Sequence, residues 1–123
     1  MHINIYNTTG RPRIKKEYIR KLVRRVLRKE GKEINSINII IADSLYLRNL
    51  NKSYFKKNKK TNVISFDLGE ISEIYVADEK AAGAFELHYY ILHGLLHLLG
   101  YDHRNEHETT AMHKKCTEYL RNG

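Results

Sequence analysis

His93-Gly94-Leu95-Leu96-His97-Leu98-Leu99-Gly100-Tyr101-Asp102-His103 is the stretch on which the reading of this chain turns. Leucines fill the positions around the first two histidines, which predicts a buried helix. Each helical residue turns about 100°, so His97 lies about 40° round from His93 and about 6 Å further along. Both imidazoles leave one face of the helix and can share one metal ion. Gly100 then stops the helix, because glycine enters the left-handed conformation at little cost. The chain turns through Tyr101 and Asp102 and brings His103 into reach as a third ligand. Three protein nitrogens leave one tetrahedral position open to water, as in a catalytic zinc site rather than a structural one. A lone histidine pair in such a helix reads as core or surface packing. The third histidine, placed just after a helix-ending glycine, turns the reading to a metal site. Zinc suits three imidazoles best, and nickel, cobalt or copper would also be accepted.

The spacing of the histidines and the glycine is similar to the metzincin protease pattern, with one departure. Those proteases carry a glutamate general base after the first histidine, and Gly94 stands there in this chain. That counts against peptidase chemistry. The whole run HGLLHLLGYDH closely resembles the signature of the YbeY family of bacterial metal-dependent endoribonucleases. A weaker match lies upstream, in Leu50-Asn51, Tyr54 and Thr61-Asn62-Val63-Ile64-Ser65-Phe66. The resemblance implies an endoribonuclease, and a preference for single strands is expected because exposed bases can stack on tyrosines. It would act in ribosomal RNA maturation (16S rRNA processing) and ribosome quality control. It also implies that RNA and the ribosome are partners, that the compartment is the bacterial cytoplasm, and that His93, His97 and His103 hold zinc. Similar proteins carry an arginine after the upstream tyrosine, regarded as catalytically important. Phe55 stands at that position, with Asn58 and Lys60 where an acidic residue and a proline are usual. Lys56 or Lys57 could supply the positive charge, Lys56 being the replacement candidate, although lysine offers a point charge rather than a guanidinium fork.

Composition sets the outer limits. A chain of 123 residues, 41% hydrophobic, suits one domain over residues 1–123 with a single core. The net charge of +8 favours an anionic partner, nucleic acid first, against solubility or a proteome-wide bias. With Cys116 as the one cysteine, no internal disulfide forms and no disulfide-linked partner is implied; a reducing cytosol is the natural compartment. No apolar run reaches spanning length, and the N-terminus shows no signal-peptide core. The oligomeric state is not legible.

The elements follow in order. Met1 to Tyr6 alternates as a short strand, and Asn7 to Pro12 turns. Residues 15–29 carry a helical stripe of Tyr18, Ile19, Leu22, Val23, Val26 and Leu27, closed by Gly31. Its basic face reads equally as a phosphate-contacting surface or a solvated one. Ser36 to Ala42 reads as a buried strand. Asp43 or Ser44 caps a helix that continues through Leu45, Leu47, Leu50, Asn51 and Tyr54. Lysines 52, 56, 57, 59 and 60 then crowd a loop, either mobile surface or a basic lip for RNA. Asn62 to Asp67 and Glu73 to Ala77 form an antiparallel pair around Gly69. The metal helix covers 85–99, and a last helix covers 106–120 with Ala111, Met112, Cys116, Tyr119 and Leu120 toward the core. This order predicts an α/β (α+β) domain: a small mixed sheet of about four strands, surrounding helices and a zincin-like metal helix.

In the chemistry this allows, metal-bound water attacks the RNA phosphodiester while the ion neutralises developing charge. Glu86 and Asp102 either orient ligand histidines or cap their segments. His88 lies on another face, and His107 and His113 on the last helix stand apart from the site. Two alternatives remain: a metallopeptidase or other zinc hydrolase, and a non-catalytic ribosome-associated RNA-binding protein. Exposed bases could stack on some of the 9 tyrosines.

Overall fold

The isoleucine-rich segments become strands because branched side chains pack well on a pleated, half-buried surface. A computed structural model describes residues 1–10, 14–55, 61–78, 81, 83–102 and 105–121. Its elements are β1 (His2–Asn7), α1 (Lys16–Glu30), β2 (Ser36–Ala42), α2 (Ser44–Phe55), β3 (Val63–Asp67), β4 (Ile71–Ala77), α3 (Ala84–Leu98) and α4 (Glu106–Arg121). The strands form one sheet in the order β1-β2-β4-β3. β2 pairs parallel with β1 and with β4, while β3 runs antiparallel along β4. The mixed sheet and its surrounding helices agree with the expectation from sequence.

Alternation along the strands separates two cores. Ile3, Ile5, Ile37, Ile39, Ile41, Ile74 and Val76 face α1, α3 and α4. On the other face Ala42, Ile64 and Ala77 cover Leu47 of α2. The α1 stripe contributes Ile19, Leu22, Val23, Val26 and Leu27, none more than 3% exposed. Each such side chain stabilises by about 1.5–3 kcal/mol, which outweighs the weak intrinsic preference of a 15-residue helix.

Local differences from the sequence reading have physical causes. β4 begins at Ile71 rather than Glu73, because the turn is tight. Asp67 accepts from the Gly69 N–H at 3.0 Å, Gly69 takes φ of 92°, and Leu68 N–H reaches the Ile71 carbonyl at 2.9 Å. Of the two capping candidates Asp43 acts, its carboxylate accepting from the Tyr46 N–H at 2.8 Å. Ala111 is exposed rather than core-facing, since Met112, Cys116 and Tyr119 make the buried stripe of α4. The basic face of α1 is partly used within the fold. Arg20 bonds the Ile3 carbonyl and Glu17, and Arg25 donates to the Tyr119 carbonyl. Pro12 lies outside the described residues, as do Asn58 and Lys60.

One carboxylate ties three segments together. Glu30, the last residue of α1, accepts from the Tyr101 hydroxyl at 2.7 Å and from the Tyr119 hydroxyl of α4. Lys115 stands 3.6 Å away, and the Glu30 side chain is only 12% exposed. Burial by itself raises the Glu30 pKa. The Tyr119 and Tyr101 hydrogen bonds and the Lys115 charge outweigh burial and hold it below its ordinary value. Tyr101 is correspondingly pushed up to about 12, by burial first and by the Glu30 bond second.

Because the folded pKa of Glu30 is lowered, its contribution is present above the unfolded carboxylate pKa. It is lost as pH falls through the folded value. Glu30→Gln should lower stability by about 2 kcal/mol at pH 7 and flatten the acid limb below about pH 5. Urea denaturation across pH checks this; parallel acid limbs for wild type and variant would remove Glu30 from the linkage.

Candidate active site

A glycine inside a helix is normally destabilising, so Gly94 in mid-α3 calls for a reason. The sheet supplies it. A Cβ at residue 94 would stand 2.7 Å from Ile74 Cγ2, 2.9 Å from Ser65 Oγ and 3.0 Å from Val63 Cγ2. The helix therefore lies directly on β3 and β4, and Ser65 Oγ donates to the Gly94 carbonyl at 2.9 Å. Gly94 points into the sheet, so no glutamate fits there. The departure from the metzincin pattern is thus a packing requirement of this fold.

With Gly94 against the sheet, His93 and His97 fall on the side toward the β3 edge. Their ring centroids are 5.3 Å apart with planes at 66°. The helix ends as the sequence predicts. Gly100 has φ of 105°, its N–H bonds the His97 carbonyl, and the Tyr101 N–H bonds the Leu96 carbonyl at 3.0 Å. This paired arrangement satisfies carbonyls that the helix leaves open. The Tyr101–Glu30 bond then holds the chain just beyond α3 against α1.

The two histidines open into a cleft of about 610 Å³. Val63, Ser65 and Asp67, on one face of β3, form part of its wall, and Asn51 and Phe55 of α2 close the far side. Asn51 is only 6% exposed, while Phe55 is 47% exposed. The period of two along β3 places 63, 65 and 67 together. Which partner they face is a tertiary fact that sequence reasoning missed.

Imidazoles one helical turn apart suit a borderline metal such as zinc, and their shared cleft leaves room for a substrate. Among the described residues, no three or more His, Cys, Asp or Glu side chains are grouped to hold a metal ion. His103, the predicted third ligand, and Lys56, the predicted catalytic cation, both lie outside the described residues. Glu86 bonds Tyr90, raising the tyrosine's pKa after burial. His88 turns to α1, its ring 4.6 Å from Tyr18, and burial lowers its pKa. His113 differs from expectation. With Tyr89, whose hydroxyl contacts its Nδ1, it lines a second cavity of about 310 Å³ that also reaches His93. His107 is exposed in the first turn of α4.

The family profile described as Endoribonuclease YbeY matches residues 4–122. The chain is 38% identical over 109 residues to the Endoribonuclease YbeY of Neorickettsia sennetsu, covering 75% of each protein. It is 36% identical over 131 residues to that of Karelsulcia muelleri, covering 96% of this chain and 93% of the relative. The corresponding protein of Buchnera aphidicola subsp. Schizaphis graminum is 36% identical over 128 residues, covering 90% and 79%. Among solved structures, the solution structure of TM1509 from Thermotoga maritima superposes with a TM-score of 0.64 at 26% identity. That match covers 98% of this chain and 89% of the other.

Gly94→Ala sets two effects against each other. Helix propensity gains about 1 kcal/mol. Forcing a methyl against Ile74 and Ser65 costs about 1–3 kcal/mol. A net loss of about 1 kcal/mol is expected, read as a lowered Tm. A variant more stable than wild type would show that α3 does not need this close approach.

Proposed function

The chain belongs to the YbeY family of endoribonucleases, and on that premise we propose that it cuts single-stranded ribosomal RNA with a divalent metal ion. His93, His97 and His103 would hold the ion, zinc being the favoured one. The observation that carries this reading is the pair His93 and His97 on one face of α3, opening into the cleft along β3. When bound, such an ion polarises a phosphoryl oxygen and supplies an activated water near neutral pH.

The chain's own residues have separate tasks. The two imidazoles must stay neutral to act as ligands, so ligation weakens as pH falls through the histidine range. Ser65 fixes the carbonyl of Gly94 and with it the helix that carries both ligands. Phe55 brings no positive charge to the cleft, so Lys56 is proposed to stabilise the transition-state charge. The net charge of +8 supports an RNA partner, with ribosomal RNA processing in the cytoplasm as the proposed setting. No described helix is long and apolar enough to cross a membrane. Phe55 also favours a second reading, a ribosome-associated protein that binds RNA without cutting it.

His97→Ala should abolish metal binding and RNA cleavage together, with the fold retained by circular dichroism. Cleavage of a structured ribosomal RNA fragment, with and without chelator, and metal content by mass spectrometry are the measurements. A fully active, metal-free variant would sink the proposal. Tight RNA binding without cutting, metal retained, would favour the second reading.

Lys56→Ala should slow turnover about 100- to 1,000-fold and leave metal content unchanged, the scale for losing one charge stabiliser. An unaltered rate would remove Lys56 from the mechanism.

A further inference from the structure

Five aromatic rings form a continuous array on the α2 side of β3 and β4. Phe55, at the end of α2, lies nearly parallel to Phe66 of β3, with centroids 5.8 Å and planes 15° apart. Tyr54 meets Phe66 edge-on at 5.3 Å, and Phe66 meets Tyr75 edge-on at 5.8 Å. Tyr75 stacks on Tyr46 at 6.0 Å. Yet Tyr54 is 68% exposed, Tyr46 50% and Phe55 47%. Rings left this far in water add little to folding, so the core does not account for the outer part of the array.

Its position points to a use. Phe55 lines the same cleft as His93 and His97. The protein carries a charge of +8, which draws a polyanionic strand toward it. A strand whose phosphate lies over the histidines carries its bases to one side or the other. An unpaired base has a free π-face, and stacking on an aromatic ring tolerates any base. A base within a duplex has both faces covered and gains nothing there.

We propose that Phe55, backed by Phe66 and flanked by Tyr54, is a stacking subsite for an unpaired RNA base next to the His93–His97 cleft. This rests on the endoribonuclease reading above. Phe66 holds the Phe55 ring from behind, so little side-chain freedom is lost when a base stacks on it. The subsite selects single-stranded RNA by shape and leaves sequence unread.

The test titrates the 123-residue protein into short 2′-O-methyl oligonucleotides carrying 2-aminopurine at successive positions. Stacking quenches the probe. Wild type should quench it strongly at one position. Phe55→Ala and Phe55→Leu should bind about tenfold more weakly and lose that quenching, as expected for one lost base–aromatic stack. Phe55→Trp should keep both. An abasic nucleotide at the quenched position should make wild type and Phe55→Ala bind alike. The half-exposed ring lets the variants keep the wild-type Tm, which is checked in parallel. Equal affinity and quenching in wild type, Ala and Leu variants, with RNA still cut, would overturn the subsite and leave the enzyme reading standing. No binding of RNA by wild type would overturn the enzyme reading itself. A changed oligomeric state with unchanged oligonucleotide affinity would assign the rings to a protein contact and overturn the subsite.

Discussion

The close seat of α3 on the sheet governs the rest of the molecule. Gly94 brings the helix backbone to within side-chain contact of Ile74, Val63 and Ser65. Lifting the helix by the width of a methyl group would move both histidines relative to β3 and open the large core beneath Leu95 and Leu96. Protein interiors are close-packed, so such a displacement cannot be absorbed locally. The residue that a protease would use as its base is here the residue that lets the helix sit down. One position thus links the packing of the core to the chemistry the cleft can support.

A second constraint holds the far end of that helix. Gly100 ends α3, and the chain leaves toward Asp102 with Tyr101 bonded to Glu30. Glu30 closes α1, and the same carboxylate receives Tyr119 from α4. A largely covered carboxylate with two hydroxyl donors and a nearby ammonium is well satisfied, and its lowered pKa reports that. The contact joins α1, α4 and the chain just beyond the end of α3. Packing beneath the middle of α3 and a polar tie at its end together orient the histidine-bearing helix.

The cleft between α3 and the end of α2 has two unlike walls. One presents imidazoles, the other an aromatic ring beside a buried amide, Asn51. The free edge of β3 runs between them because β3 is the last strand of the sheet. Phe55 gives this wall a half-exposed ring in place of a charge.

Much of this was legible in the residue order. The i, i+4 spacing of His93 and His97 with Gly100 after them determined a helix, its stop and the shared histidine face, because those follow from local geometry alone. Period-two isoleucines and the α1 stripe likewise determined the strands, the first helix and the mixed sheet. Other features depend on contacts between segments far apart in the chain. No local pattern states that Gly94 faces Ser65 and Ile74, that Glu30 meets Tyr101 and Tyr119, or that His113 reaches a cavity shared with His93. Nor does alternation along β3 say whether α2 or α3 covers a given face. The sequence by itself determined the elements and the histidine face, since backbone periodicity is a property of neighbours. The tertiary structure decided what surrounds that face, since long-range packing selects among partners that local rules leave equivalent.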